Sequence, residues 1–223
     1  MKIRDNEQRA KNAILLIWIV LALEIVNFIS SYFQYDLLQT MVNGGSVSER
    51  TAMTNDGREQ TLGIISFIIF FISGITFIMW FRRAYYNLNQ KASLAYSDGW
   101  AAGSWFVPII NLYRPYQIMK ELYVETKKLL ENKGISGEVN YTTNYLAWWW
   151  ALWIINGILG QIVFRASLYA NTIDELSFST VMSMISNIIG ILAAIITIKV
   201  IKDYSETEPA LFEIEEENDE DEW

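Results

Sequence analysis

Four long apolar segments, separated by polar stretches, dominate the pattern of hydrophobic and polar positions along the chain. They cover residues 13–35, 62–81, 145–164 and 178–198. Each is about 20 residues long, which is the length of α-helix needed to cross about 30 Å of hydrocarbon. The pattern therefore predicts an all-α integral membrane protein, with four transmembrane helices in a single membrane domain at residues 13–202.

A shorter apolar stretch, residues 99–116, lies between the second and third long segments. Its uncharged part ends at Tyr113 and is interrupted by Pro108, so it is short and irregular for a full span. We expect it to enter the membrane and leave on the same side. Two forms fit this expectation: a re-entrant segment, in which Asn111 would hydrogen-bond exposed backbone groups, or a helix lying flat at the interface.

Residues 115–133 predict an amphipathic helix on the cytoplasmic side of the membrane. Pro115 suits the first turn of a helix, apolar side chains recur at helical spacing up to Leu130, and Gly134 marks the end. Basic residues in and near this region are candidate contacts for anionic lipid headgroups. These residues are Arg82, Arg83, Lys120, Lys127 and Lys128. The alternative is that they only add positive charge to a cytoplasmic loop.

The distribution of basic residues predicts the orientation of the chain. If residues 1–12, a basic segment, lie in the cytoplasm, 14 Lys and Arg residues fall in cytoplasmic segments and 3 fall outside. Because cytoplasmic loops are enriched in Lys and Arg, we expect both termini in the cytoplasm. Residues 203–223 carry 11 acidic and no basic side chains, which predicts a disordered acidic tail.

The composition excludes several classes of chemistry. The chain contains no cysteine and no histidine, which removes disulfides, thiolate zinc sites and the commonest general base. It also has no Gly-rich phosphate loop and no Gly-x-Ser-x-Gly motif. We therefore expect a protein that is not an enzyme, has no cofactor and no metal site, and does not bind nucleic acid.

Polar side chains lie near the middle of each predicted span. Glu24 is at the centre of the first span, and further candidates for one polar cluster are Asn27, Ser73, Asn156 and Asn187. An intramembrane carboxylate is costly and usually faces the bundle interior or water, so the cluster is a candidate cation or proton site. The alternative is that these side chains stabilise helix packing through interhelical hydrogen bonds.

The middle of the chain carries a specific motif around the short apolar stretch. Its core reads Trp-Phe-x-Pro-x-x-Asn-Leu-x-x-Pro from Trp105 to Pro115, and it follows Tyr-Ser-Asp-Gly-Trp-Ala at 96–101. With Trp80–Leu88 and Glu121-Leu122, this motif resembles a bacterial membrane family known as a domain of unknown function, the DUF4328 type. The resemblance covers about residues 60–200, implies a bacterial multi-span protein and carries over no activity.

The same resemblance suggests that the motif is the working part that members of the family share. Its candidate residues, here called the central element, are Trp100, Trp105, Phe106, Pro108, Asn111, Arg114 and Pro115. The alternative is that the central element only directs folding.

Two classes of function fit the sequence. In the first, the protein is an oligomeric channel or a transporter of ions or small solutes, with Glu24 in its pathway and the central element as its gate. Four spans form a narrow bundle, so this class requires a homo-oligomer. In the second, the protein is a membrane scaffold or regulatory subunit that recruits a partner through its cytoplasmic face and acidic tail. For both classes we expect the bacterial cytoplasmic (inner) membrane, with anionic lipids and another membrane protein or a second copy as partners.

Overall fold

The structure is a computed structural model that describes residues 3–134 and 142–213 of the chain. Within these two ranges the chain forms α-helices, turns and one short 3-10 helix, without β-strands. The α-helices are α1 (Glu7–Val42), α2 (Glu49–Asn89), α3 (Asp98–Gly103), α4 (Arg114–Asn132), α5 (Asn144–Tyr169) and α6 (Ile173–Thr207).

Four of these helices, α1, α2, α5 and α6, are long and apolar enough to cross a membrane. This finding confirms the predicted all-α membrane fold. The helices extend past the apolar segments, and α2 alone has 41 residues. At about 1.5 Å per residue, a helix of that length is about twice as long as the hydrocarbon core is thick.

Side-chain caps define where two of the long helices begin. The Ser48 hydroxyl accepts a hydrogen bond from the Thr51 backbone N–H at the start of α2. At the start of α6, Thr172 Oγ1 accepts from the Glu175 N–H, and the Glu175 carboxylate accepts from the Thr172 N–H. This reciprocal pair is a capping box, which satisfies backbone donors that a helix start leaves unpaired.

Contacts divide the chain into two compact units, and each of the four long helices contributes residues to both. The first, here called the aromatic unit, comprises residues 1–16, 73–150 and 196–223, of which the described residues are discussed. The second, here called the apolar unit, comprises residues 17–72 and 151–195.

The aromatic unit has a core of large ring side chains. The Phe77 ring lies 5.6 Å from the Trp80 and Trp105 rings and 6.1 Å from the Trp149 ring, measured between centroids. Tyr204 from α6 packs on Trp80 at 6.2 Å. Rings at these separations attract each other, which adds to the stabilisation that comes from burying their apolar area. The core therefore holds the ends of several helices together.

The apolar unit exposes its large apolar side chains on the outside. Phe67, Phe71 and Phe164 are all more than half exposed. Polar side chains such as Ser30 and Ser179 are buried in the same unit. This arrangement is the reverse of a water-soluble protein and suits helices whose outer surface contacts lipid acyl chains.

α4 occupies the position predicted for a helix at 115–133. One face is buried and contains Pro115, Ile118, Met119, Leu122, Tyr123, Thr126 and Leu130. The opposite face carries the exposed side chains of Lys120, Lys127 and Lys128. The helix ends beside Gly134, whose φ of 79° is strained for any residue with a Cβ, as the sequence predicts for a helix stop.

The C-terminal region differs from the predicted tail that starts at residue 203. α6 continues to Thr207, and the side chains of Tyr204, Ala210 and Leu211 are buried. These apolar and aromatic residues, interspersed among the acidic ones, pack in the aromatic unit. The rest of the predicted tail, residues 214–223, lies outside the described residues.

Candidate functional site

Glu24 packs directly against the backbone of α6 at Gly190. A Cβ built on Gly190 would lie 2.7 Å from Glu24 Cδ and 2.8 Å from Glu24 Oε1. Only glycine leaves room for the carboxyl group at this crossing of α1 and α6. Among the described residues, no side chain or backbone group donates a hydrogen bond to Glu24.

The other members of the predicted mid-membrane cluster have separate surroundings. Asn27 donates to Ser66 Oγ of α2 at 2.8 Å, and Asn156 Oδ1 accepts from the Ser186 hydroxyl of α6 at 3.5 Å. Asn187 is half-buried, and Ser73 is buried within the aromatic unit. No hydrogen bond joins any two of the five predicted residues in the described part of the chain. The side-chain hydrogen bonds of Asn27 and Asn156 each link two different helices.

The apolar unit contains a polar network that the sequence prediction missed. Arg58 of α2 donates to Ser30 Oγ of α1 at 2.7 Å and to Asn55 Oδ1 at 2.6 Å. Ser30 donates to Glu59, which also pairs with Arg58. Gln34 donates to Thr180 Oγ1 of α6 at 2.9 Å. The only signal in the sequence is the polar face of the first span, which carries Asn27, Ser31 and Gln34.

Between Pro108 and Asn111 of the central element, the chain makes an unusual turn at Ile109. The Ile110 N–H donates to the Pro108 carbonyl at 2.8 Å, and Ile109 has φ 67° and ψ −47°. These values are close to a γ-turn of the rare, strained type. A β-branched residue at positive φ is a backbone outlier that costs about 1–3 kcal/mol.

The same turn presents apolar side chains outward. Ile109 is 75% exposed, Phe106 is 74% exposed and Leu112 is 53% exposed. Strained outliers persist only where the surrounding structure holds them, and they cluster at functional sites. We refer to Phe106, Ile109 and Leu112 as the apolar ridge.

Aromatic contacts within the aromatic unit hold the base of the central element. Trp150 of α5 donates from its indole Nε1 to the Leu112 carbonyl at 2.9 Å. The Arg114 guanidinium lies 4.5 Å above the Tyr96 ring. The Asn111 side chain makes no hydrogen bond to a described residue, so an indole satisfies the exposed backbone where Asn111 was expected to do so. Trp100 is partly exposed, whereas Pro115 is buried.

A second set of contacts ties the loop before α3 to α4. The Tyr85 hydroxyl donates to Glu121 Oε2, and Glu121 Oε1 accepts from the Ala95 N–H at 2.7 Å. The Tyr96 N–H donates to the Tyr85 hydroxyl oxygen at 3.3 Å. Tyr85, Tyr96 and Glu121 belong to the segments that carry the resemblance, and their contacts tie the chain before the central element to α4, which follows it.

Glu208 forms the most deeply buried charged site among the described residues. Its Oε1 accepts from Asn87 Nδ2 of α2 at 2.7 Å, and its Oε2 accepts from Asn6 Nδ2 at 3.0 Å. Asn87 also exchanges two hydrogen bonds with the backbone of Arg4. We refer to Asn6, Asn87 and Glu208 as the Glu208 cluster; it joins both ends of the described chain to α2.

The surroundings of Glu208 determine its ionisation. The residue follows the end of α6 and lies well past the apolar segment 178–198. Desolvation by burial raises the pKa of its carboxyl from an ordinary 4.5 to about 7, while the hydrogen bonds from Asn6 and Asn87 act in the opposite direction. Asn6 Oδ1 is also buried, without a partner among the described residues. The sequence prediction missed this site, because Glu208 stands in an acidic run.

The basic residues predicted to contact lipid differ in their pairing. Arg82 pairs with Asp98 at 3.3 Å, and Lys128 pairs with Glu125 at 2.6 Å. Lys127 lies 3.8 Å from Glu131, and Lys120 is exposed. Arg83 instead donates to the Asp5 backbone carbonyl at 3.5 Å. In the described chain, Arg82 therefore has a carboxylate within 4 Å, and Arg83 does not.

The sequence profile of a family described as "Domain of unknown function (DUF4328)" matches residues 43–206, which is most of the chain. The chain belongs to the DUF4328 family. This assignment confirms the resemblance found in the sequence. No curated protein and no solved structure matches the chain.

Some candidate sites of this DUF4328 protein lie inside the matched residues, and one extends beyond them. The central element and the Tyr85–Glu121 contacts lie inside residues 43–206, and so do Asn156 and Asn187. Asn6 and Glu208 lie outside the matched range, whereas their shared partner Asn87 lies inside it. In the described residues of this DUF4328 protein, no group of three or more Asp and Glu side chains is placed to hold a metal ion.

Proposed function

We propose that this protein is a non-catalytic membrane scaffold or regulatory subunit, whose aromatic unit presents a rigid surface to a partner. The supporting observation is the pairing of polar side chains in the apolar unit. Asn27, Gln34 and Asn156 each form a hydrogen bond to a side chain on a neighbouring helix. Each such bond stabilises helix packing by about 1 kcal/mol. Polar groups engaged in this way hold helices together and are not free to coordinate a moving ion.

The proposed location is the bacterial cytoplasmic membrane, with the N- and C-termini in the cytoplasm. The excess of Lys and Arg in the segments assigned to the inside supports this orientation. In it the aromatic unit, which holds α4 and the central element, belongs to the cytoplasmic side. Because the chain has no cysteine, single cysteines report its topology without background.

The topology test uses an impermeant thiol reagent added to intact cells. Ser48→Cys and Thr172→Cys, next to the starts of α2 and α6, are expected to react. Ala92→Cys, in the turn after α2, is expected to react only after the cells are opened. Labelling of Ala92→Cys in intact cells would overturn the orientation.

We propose further that the central element lies in the membrane interface and inserts the apolar ridge among lipid chains. If the apolar ridge faced water, the exposure of Phe106, Ile109 and Leu112 would cost free energy. Nothing would then offset the strain of the turn at Ile109. Burial in hydrocarbon would stabilise each side chain by about 1.5–3 kcal/mol, which exceeds the cost of the turn.

Insertion can be measured with a polarity-sensitive dye on Ile109→Cys in nanodiscs that contain spin-labelled lipids. If the central element is interfacial, we expect a spin label high on the acyl chain to quench the dye more strongly than a label near the chain end. Stronger quenching by the deep label would indicate a re-entrant segment. The same dye on Ala92→Cys is the control, and equal weak quenching at both positions would contradict insertion.

The scaffold proposal is tested by photo-crosslinking in living cells. A photoreactive residue replaces Lys120 on the exposed face of α4, and a control replaces Phe67 on the apolar unit. We expect a discrete protein adduct from position 120 and only lipid adducts from position 67. An adduct of twice the mass of the chain would identify a homo-oligomer. No protein adduct at position 120 would argue against a scaffold acting through this face.

A second candidate function, conduction by an oligomer, is favoured by one observation at Glu24. This carboxyl group has no hydrogen-bond partner among the described residues and lies against a bare glycine backbone. A titratable group in that position is suited to bind a cation or carry a proton. Proton and cation flux into vesicles that contain wild type or Glu24→Gln decides this candidate: flux that the variant loses supports conduction, and absence of flux in wild type removes it.

A further inference from the structure

Three arginines lie near one another where the start of α1 packs against the end of the apolar segment of α2. Arg9 Nη1 donates to the Met79 carbonyl at 3.1 Å, and Arg83 Nη1 donates to the Asp5 carbonyl at 3.5 Å. Met79 and Arg83 are one helical turn apart on α2, and Asp5 and Arg9 are separated by the same number of residues. The two guanidinium groups therefore bridge the same pair of segments, one from each segment.

Arg4 completes this arrangement. Its backbone is fixed by two hydrogen bonds with Asn87, and its guanidinium lies 4.8 Å above the Tyr86 ring. Arg4 and Arg9 are both close enough to Arg83 to repel its charge. We refer to Arg4, Arg9 and Arg83 as the arginine cluster.

The charge of the arginine cluster is not neutralised by an ion pair. No carboxylate of the described residues lies within 4 Å of any of the three guanidinium groups, although Arg58, Arg82 and Lys128 each have one. Two carboxyl groups lie near it. Asp5 is exposed and accepts from the Glu7 N–H, and Glu208 is buried and already bound by Asn6 and Asn87.

We propose that the arginine cluster is a binding site for a phosphate group. Three neighbouring guanidinium groups without a counter-ion repel each other, so an anion that accepts several hydrogen bonds at once relieves an unfavourable arrangement. The planar fork of arginine matches the oxygen atoms of a phosphate, which accepts two parallel N–H bonds from each arginine. Backbone contacts hold Arg9 and Arg83 in place, which lowers the entropic cost of binding.

Such a phosphate has two sources, a phospholipid headgroup or a free phosphate compound. Arg83 lies two residues past the apolar segment 62–81 of α2, so in a membrane that this segment spans the arginine cluster reaches headgroup phosphates on whichever side it faces. The inference goes beyond the scaffold proposal and stands on the arginine geometry alone, so a failed crosslinking experiment would leave it intact. The proposal extends the predicted lipid contacts to Arg4 and Arg9 and separates Arg83 from its neighbour Arg82.

The experiment uses the full chain in a neutral, phosphate-free detergent and has two arms. In one arm, phosphatidylglycerol is titrated into the micelles and bound lipid is counted by native mass spectrometry. In the other arm, inorganic phosphate is titrated and binding is followed by calorimetry. We expect saturable one-to-one binding in at least one arm. Tighter binding of phosphatidylglycerol assigns the site to a headgroup, and equal or tighter binding of inorganic phosphate assigns it to a soluble phosphate compound.

Variants test whether the arginine cluster is responsible. Arg83→Ala and Arg4→Ala are each expected to weaken binding by about tenfold or more, because a charge-assisted hydrogen-bonded pair is lost. Arg82→Ala is the matched control, since Arg82 is the next residue on α2 but pairs with Asp98. Arg4 is exposed, so its variant is expected to keep the wild-type melting temperature even if Arg83→Ala is destabilised. Binding that is absent in wild type, or that falls equally in Arg82→Ala and Arg4→Ala, would overturn the proposal.

Discussion

Replacing Glu208 by glutamine should remove a large pH dependence from the stability of the protein. The carboxyl group is 4% exposed and receives hydrogen bonds from Asn6 and Asn87. Glutamine has nearly the same shape and keeps one acceptor oxygen for Asn87, and its NH2 group can donate to the unpartnered Asn6 Oδ1 once the Asn6 amide turns over. It has no ionisable proton, so the variant isolates the effect of charge from the effect of packing.

The magnitude follows from the pKa of Glu208. Burial raises this pKa from 4.5 to about 7. The negative charge of Asp5 also raises it, and the positive charge of Arg83 lowers it. A carboxyl group whose pKa is higher in the folded state binds its proton more tightly there, so folding is favoured below pH 4.5 and loses this advantage as the pH rises through 7. The full change corresponds to about 3 kcal/mol of unfolding free energy, or roughly 6–12 °C in melting temperature.

The assay is thermal unfolding in nanodiscs between pH 5 and pH 8, followed by tryptophan fluorescence. Trp80 is a suitable reporter, because it is fully buried and its carbonyl accepts from Asn6. Wild type should lose melting temperature across this range, whereas Glu208→Gln should stay nearly level and exceed wild type at pH 8. Glu206→Gln is the matched control, since Glu206 is exposed and pairs with Lys202 on the surface of α6. Parallel curves for wild type and Glu208→Gln would refute the reasoning.

Three further variants test other contacts. Gly190→Ala should lower the melting temperature, because its Cβ would lie 2.7 Å from Glu24 Cδ and such overpacking costs about 1–3 kcal/mol. Adding Glu24→Ala to the same chain should restore most of the loss. If it does not, a clash with Glu24 is not the cause. Tyr85→Phe should lower the free energy of unfolding, measured in denaturing detergent, by about 1–3 kcal/mol, because the hydrogen bond from the hydroxyl to Glu121 is lost. An unchanged free energy of unfolding would mean that water replaces the hydroxyl. Ile109→Gly should lower the melting temperature in nanodiscs slightly, because the lost burial of the side chain in lipid, about 1.5–3 kcal/mol, together with the entropic cost of glycine, about 0.5–1 kcal/mol, exceeds the relief of about 1–3 kcal/mol of turn strain. A higher melting temperature would show that the turn costs more than the isoleucine side chain contributes.

The spanning helices were predictable because length and continuous hydropathy determine them locally. Each apolar segment is long enough to satisfy its own backbone hydrogen bonds in lipid, and no distant residue is needed to form it. The end of α4 was predictable for a similar reason, since Gly134 adopts a φ that other residues avoid.

The sites were harder to predict because they depend on residues far apart in the chain. Glu208 appeared to be one acidic residue among many, and its burial requires Asn6 and Asn87, which are 202 and 121 positions away. Glu24 and Asn27 were expected in one cluster because they share a depth with Asn156. Depth along a helix does not determine which neighbour a side chain faces, and Asn27 in fact faces Ser66. The turn at Ile109 has no sequence signal, because isoleucine is among the residues least suited to positive φ.

The Glu208 cluster also has a consequence for the order in which the protein is built. Helices α1 and α2 leave the ribosome before α6, so Asn6 and Asn87 are synthesised well before their shared partner. Until residue 208 emerges, the buried amides of both asparagines have no carboxylate to bind, and the packing around Trp80 is incomplete. The aromatic unit can therefore close only after all four long helices have been inserted. A nascent chain stalled before this point would keep that surface open to chaperones and membrane proteases.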